Sequence, residues 1–130
     1  MTLEVHVVTP EREVWSGEVT ELIARGVDGE VGILSGHAPL LVQLAVGPLR
    51  MLTDAGETKA VVDGGFLHVS SHDGVTRADV LASYAELAEE IDVVEARRRL
   101  EDAQNRAEQN DDDAAKGEIA KAMARISLVG

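Results

Sequence analysis

No cysteine occurs among the 130 residues, so disulfide stapling and thiolate chemistry are excluded, and a zinc site would have to use histidine and carboxylate ligands. A reducing compartment fits that composition. Aromatic residues make up only 2% of the chain (Trp15, Phe66 and Tyr84), which leaves Val, Leu, Ile and Ala to build any core. Basic residues are scarce too. Twelve Lys plus Arg stand against 24 Asp plus Glu, a formal net charge of −12, the reverse of what neutralising a phosphate backbone requires, so nucleic acid is excluded as a partner. No apolar run approaches the roughly 20 residues that span a bilayer. The chain opens on the alternating Leu3, Val5 and Val7 instead of a signal or transit segment, and the expectation is a soluble protein that meets a membrane only through its partners.

The residues that are present fall into two halves with different periods. Up to about residue 81, short alternating or aliphatic runs are broken about every 8 to 12 residues by turn chemistry, the pattern of an antiparallel sandwich or barrel. The runs predict strands over Leu3 to Thr9, Glu13 to Gly17, Val19 to Arg25, Gly29 to Ile33, Leu40 to Ala45, Pro48 to Thr53, Thr58 to Asp63, Gly65 to Ser70 and Val75 to Leu81. Asp54-Ala55-Gly56-Glu57 and His72-Asp73-Gly74 read as hairpin turns.

From Ala82 onward glycine nearly vanishes, and the hydrophobic period changes from about 2 to about 3.6. Asp92-Val93-Val94-Glu95 reads as a capping box, with Asp92 as N-cap and Glu95 reaching back to it. The stripe behind it is Val93, Ala96, Leu100, Ala103 and Ala107. Asn110-Asp111-Asp112-Asp113 breaks this helix and places anionic caps at the start of a second, whose stripe includes Ile119, Ala122, Met123 and Ile126. The expected fold class is therefore α+β, an N-terminal antiparallel β-sandwich over residues 1–84 followed by an antiparallel two-helix hairpin over 85–130. Facing stripes made largely of alanine hold such a hairpin weakly, and Gly117 costs its helix about 1 kcal/mol relative to alanine. An arm with alternative docking sites follows from those magnitudes.

No catalytic or metal-binding set emerges. His68, Ser70, Ser71, His72 and Asp73 carry the residue types of a hydrolase triad, yet they are crowded into one strand and its turn with no nucleophile elbow. His68 and His72 would stand about 13 Å apart along a strand, too far to share a metal. The acidic run at Asp111 to Asp113 lacks the alternating oxygens and distal glutamate of a calcium loop. Neither a dinucleotide fingerprint nor a Gly-Lys-Ser/Thr phosphate loop is present.

The richest stretch is Gly29-Glu30-Val31-Gly32-Ile33-Leu34-Ser35-Gly36-His37-Ala38-Pro39-Leu40-Leu41. Glycine weakens strand interiors, so three glycines within an aliphatic segment ask for a reason. Turn chemistry accounts for Gly29, Gly36 and Pro39, and backbone hydrogen bonding within the turn could satisfy His37. The segment also resembles the signature of the epsilon subunit of bacterial-type rotary ATP synthases, departing from it at Ser35, where that family usually has proline. Thr9-Pro10-Glu11-Arg12, Trp15-Ser16-Gly17-Glu18 and Asp63-Gly64-Gly65-Phe66 follow the family's order and spacing, so the likeness covers nearly the whole chain.

That resemblance implies a non-catalytic central-stalk, or rotor, subunit of a proton-translocating ATP synthase, monomeric on its own and peripheral at the cytoplasmic face of the bacterial cell membrane. Glu30, Ile33, His37 and Leu40 would contact the gamma subunit and the ring of c subunits. The hairpin would switch between folded and extended states and inhibit ATP hydrolysis when extended, with Lys116, Lys121 and Arg125 facing the catalytic beta subunits. Some relatives bind ATP in the folded hairpin through Ile-Asp-X-X-Arg-Ala and arginines on both helices. Here Ile91, Asp92 and Ala96 match, and Lys121 and Arg125 keep positive charge, but Glu95 replaces the motif's arginine and Asp102 stands where another cation is expected. Carboxylates repel phosphate, so no cofactor is expected. The competing reading is a stand-alone ligand-binding sandwich with a helical dimerisation tail.

Overall fold

The computed structural model describes residues 2–110 and 113–129. Eight strands precede two helices: β1 (Thr2–Val8), β2 (Glu13–Val19), β3 (Glu21–Gly26), β4 (Gly29–Leu34), β5 (Leu40–Thr53), β6 (Gly56–His72), β7 (Val75–Ala82), β8 (Ala85–Leu87), α1 (Val93–Asn110) and α2 (Asp113–Val129), with a 3-10 turn over Ala88–Glu90 ahead of α1. The four runs expected from Leu40 to Ala45, Pro48 to Thr53, Thr58 to Asp63 and Gly65 to Ser70 are two long strands. β5 and β6 pair in one register from Leu40↔Val69 to Thr53↔Gly56.

These two strands build both layers of the sandwich. The end of β6 joins β7, β1 and β2, while the other half of β5 joins β3 and β4, and β8 attaches to β6 at Ala60 to Val62. Every pairing is antiparallel except β1 with β7. Inward residues switch parity as the strands cross over: Ala60 and Val62 point into the core early in β6, Leu67 and Val69 later in it. The switch falls at Gly64 and Gly65, whose φ angles are +96° and +132°, open to glycine and strained for other residues. A Cβ on Gly65 would stand 2.2 Å from the Leu81 carbonyl oxygen, so that strand approach also requires glycine.

The core is almost wholly aliphatic, as the shortage of aromatics demands. Leu3, Val5, Val7, Leu22, Ile33, Leu49, Leu67, Val69 and Val80 are fully buried with Met51, and Trp15 packs at the edge. At about 1.5–3 kcal/mol for each large side chain, these residues make the sandwich the stable part of the molecule. β8 lies beyond the boundary expected after residue 84, and its pairing with β6 extends the sheet to Leu87.

Alanine holds the hairpin together, with Ala96 and Ala103 of α1 buried alongside Ala115 and Ala122 of α2. The stripe expected on α2 needs correction, because Met123 is 55% exposed and Arg125 is buried in its place. Asp92 does cap α1, its Oδ1 accepting the Glu95 N–H at 3.1 Å. Glu95 does not reach back to Asp92, and its carboxylate instead accepts from Arg98 and Arg99. Of the acidic run that separates the helices, Asp111 and Asp112 lie outside the described residues, and Asp113 opens α2.

Candidate functional site

Two regions gather the residues singled out from sequence. The first is the loop between β4 and β5 with the sheet face beside it. His37 N–H donates to the Leu34 carbonyl at 3.1 Å, and His37 Nδ1 lies 2.7 Å from the Ala38 carbonyl. Gly36, at φ +87°, donates its N–H to Thr76 Oγ1 at 2.7 Å. Thr76 is fully buried and ties the loop to β7, a role that nothing in its sequence context announces. Glu30 is exposed, and His37 and Leu40 are half-buried. Ile33 corrects the sequence reading: expected to touch a partner, it is fully buried in the core and presents no surface.

Next to this loop the outward residues of three adjacent strands align. Phe66 of β6 lies opposite Leu81 of β7 and Gln43 of β5, with Leu41 one pleat along opposite His68. Leu41 is 66% exposed, Leu81 52% and Phe66 48%. Diagonal neighbours on one sheet face are within reach of an aromatic side chain, so the three form a common apolar surface.

The second region lies where the hairpin meets the sandwich, around a cleft of ≈ 590 Å³ lined by Asp63, Tyr84, Arg98, Arg99, Asp102, Glu118, Lys121, Ala122 and Arg125. Arg125 of α2 is 4% exposed. Its Nη1 and Nη2 donate to the two carboxylate oxygens of Asp63 at 2.8 and 3.0 Å, and its Nε donates to Glu86 Oε1 at 2.6 Å. Nη1 also donates to the Lys121 carbonyl at 2.9 Å, and the Tyr84 ring centroid lies 5.8 Å from Cζ. Burial opposes the charge on Arg125, but the hydrogen bonds and charges of Asp63 and Glu86 outweigh it and hold the guanidinium above its ordinary pKa.

Other guanidiniums near the cleft are also engaged. Arg98 donates to Glu95 and Asp102, Arg99 to Glu95, and Arg106 to Glu118. The bond from Arg98, helped by Arg99, pushes the Glu95 carboxyl down to about 2. Of the matched nucleotide-motif residues, Lys121 and Arg125 line the cleft, whereas Ile91, Asp92 and Ala96 do not. Lys121 and Lys116 are exposed, the latter 3.8 Å from Asp113. Asp63 and Glu86 were not singled out as partners of Arg125 by sequence reasoning. Asp63 belongs to a recognised motif, but spacing carries no trace of a contact between residues this far apart in the chain.

Among the described residues no group of histidines and carboxylates could hold a metal ion, and no helix is long and apolar enough to cross a membrane. Fold and site together define a β-sandwich that presents an exposed apolar face and carries a folded helical arm. Residues 2–88 match the model of the ATP synthase Delta/Epsilon chain β-sandwich domain. Similar chains include the ATP synthase epsilon chain of Thermobifida fusca, 45% identical over 95% of this chain and 89% of that one, and that of Anaeromyxobacter dehalogenans, 39% identical over 100% and 99%. A chain of the Euglena gracilis mitochondrial ATP synthase assembly of OSCP, F1 and c-ring superposes with a TM-score of 0.75 at 28% identity, covering 97% of this chain and 79% of that one. A chain of the Tetrahymena thermophila mitochondrial ATP synthase central stalk and c-ring shares the fold, with a TM-score of 0.61 at 18% identity over 100% and 98%. The chain belongs to the ATP synthase epsilon chain family, whose members are accessory, non-catalytic subunits of the central stalk in a membrane-associated complex.

Proposed function

We propose that the sandwich locks onto the gamma subunit and the c ring, passing rotor torque between proton flow and ATP synthesis, while the hairpin restrains ATP hydrolysis when it extends. The observation that carries this is the aligned face of Leu41, Phe66 and Leu81 beside the His37 loop. Adjacent exposed apolar side chains of this kind offer a surface on which a partner can bury them. Glu30 is exposed and His37 half-buried in the stretch that leads into β5, while Leu40 and Ile33 pack toward the core. Torque transfer needs a rigid body with a sticky face, which a densely packed aliphatic sandwich supplies. On this reading the chain sits peripherally at the cytoplasmic side of the membrane in the bacterial enzyme.

The arm's exposed Lys116 and Lys121 would steer it toward acidic surfaces of the catalytic beta subunits, with Arg125 joining once it leaves the sandwich. Switching requires two docked states that differ by only a few kcal/mol, and a hairpin held mainly by alanine meets that requirement. The folded arm is read as having no nucleotide ligand, because cleft arginines that could take phosphate are occupied by carboxylates. Titration of the isolated chain with ATP should then show no binding tighter than about 1 mM.

The decisive experiment combines two variants in the assembled enzyme. Leu41→Asp with Phe66→Asp should abolish co-purification with gamma, while deletion of residues 93–130 should retain it and raise ATP hydrolysis. Unchanged co-purification by the first would reject the docking face. Hydrolysis at the unaltered rate in the second would reject the inhibitory arm.

A further inference from the structure

We infer that Arg125, Asp63 and Glu86 form a built-in latch that holds the arm folded without any ligand, so that the chain itself sets the balance between folded and extended hairpin. The inference rests on the switching role proposed above and names its control point. The three residues come from three elements: Arg125 from the arm, and Asp63 and Glu86 from β6 and β8, which hydrogen-bond to each other in the sandwich. Four of the five guanidinium N–H groups find acceptors: two on Asp63, one on Glu86, and the Lys121 carbonyl from within α2. This is a buried cation held on three sides, with side-chain exposures of 5% for Arg125, 9% for Asp63 and 16% for Glu86.

Elsewhere the arm meets the sandwich with few large apolar groups. The buried residues of α2 are Ala115, Ala122 and Arg125 itself, and Met123 points away, exposed. Alanine contacts are small and tolerate sliding, whereas a two-pronged guanidinium contact fixes both position and angle. The ion group therefore selects one docked geometry and makes release all-or-none. Lysine could not substitute, since a point charge cannot serve a carboxylate in bidentate fashion and a second one along Nε. Two carboxylates facing one cation also leave a surplus negative charge at the site, so losing Arg125 leaves two carboxylates uncompensated beneath the docked arm. Burial shields the contact from salt, and folding of the arm should depend little on ionic strength.

The absence of cysteine allows a direct test in the isolated full-length chain. Spin labels on Asp54→Cys in the sandwich and Ala120→Cys on the arm should report one narrow distance distribution in the parent protein. Arg125→Gln should lower the ratio of docked to undocked arm at least tenfold, with the Trp15 fluorescence of the sandwich unchanged. Asp63→Asn, a milder change on the opposite side, should lower it as well, and adding Asp63→Asn and Glu86→Gln to Arg125→Gln should recover part of the loss by removing the uncompensated carboxylates. A docked fraction within twofold of the parent in both Arg125→Gln and Asp63→Asn would overturn the latch. The outcome is separable from the proposed function. Undocking in the isolated chain without any change of hydrolysis in the assembled enzyme would keep the latch and reject the switch. A docked arm in the Arg125 variant, with hydrolysis still raised by deleting residues 93–130, would do the reverse.

Discussion

Single residues in this protein are set by what surrounds them more than by their own type. The buried Oγ of Ser35 has no hydrogen-bond partner among the described residues. An orphaned polar group costs about 1–3 kcal/mol, so Ser35→Ala should stabilise the protein by about 1 kcal/mol, read as a higher urea midpoint at unchanged slope. Glu95 shows the opposite case. Its carboxyl lies at about 2 against an ordinary 4.5, held down by hydrogen bonds from Arg98 and Arg99. Because the folded value is depressed, its stabilising effect is complete above pH 4.5 and is lost as pH falls through about 2. Carboxyl NMR should give a Glu95 midpoint near 2, moving toward 4.5 in Arg98→Ala. Sequence spacing correctly placed Asp92 as a cap but sent Glu95 to the wrong partner, since a helix offers Glu95 arginines three and four residues on as readily as a backbone donor. Arg125 was read toward the beta subunits and a nucleotide motif, not toward the sandwich. Its carboxylate partners lie on strands brought to it by the tertiary fold, a placement with no periodic signature.

At the scale of elements, alternation and turn chemistry located the strands well, and their lengths less well. The breaks inferred near Val46 and Gly64 reflect a change of inward parity as β5 and β6 cross between layers, which from sequence looks like the end of one strand and the start of another. Gly65 marks that crossing, and Gly65→Ala would push a methyl group against the Leu81 carbonyl. Backbone cannot yield as a flexible side chain can, so the variant should lose at least about 1–3 kcal/mol in denaturant unfolding, the range of an overpacked core. Ahead of α1, Arg12 reaches from the β1–β2 connection to both carboxylate oxygens of Glu90, at 3.1 and 2.9 Å. The bond from Arg12, with one from the Leu87 N–H, holds the Glu90 carboxyl below its usual range. This fastens the 3-10 turn to the sandwich just ahead of the Asp92 cap of α1.

For the molecule as a whole, the division into sheet and hairpin was legible because the hydrophobic period changes, but the junction was placed too early. Chains ending at residue 92 and at residue 84 separate the two boundaries. The longer keeps β8, including the buried Ala85, and should unfold cooperatively near the melting temperature of the full chain. The shorter strips a strand from β6 and uncovers Ala60 and Val62, so its melting temperature should fall by several degrees, about 4–8 °C for each kcal/mol lost in a domain of this size. The exposed apolar face was not legible at all. Leu41, Phe66 and Leu81 look like ordinary strand residues until register sets them side by side. The continuity of β5 and β6 carries a mechanical consequence. A twist applied at the Phe66 end travels along covalent backbone and its ladder of hydrogen bonds to the Thr53–Gly56 end, without having to cross a slipping interface between two separate sheets. Such a part behaves as a stiff key and not as a pair of stacked plates, so its elastic give under load should come from the joint with its neighbours.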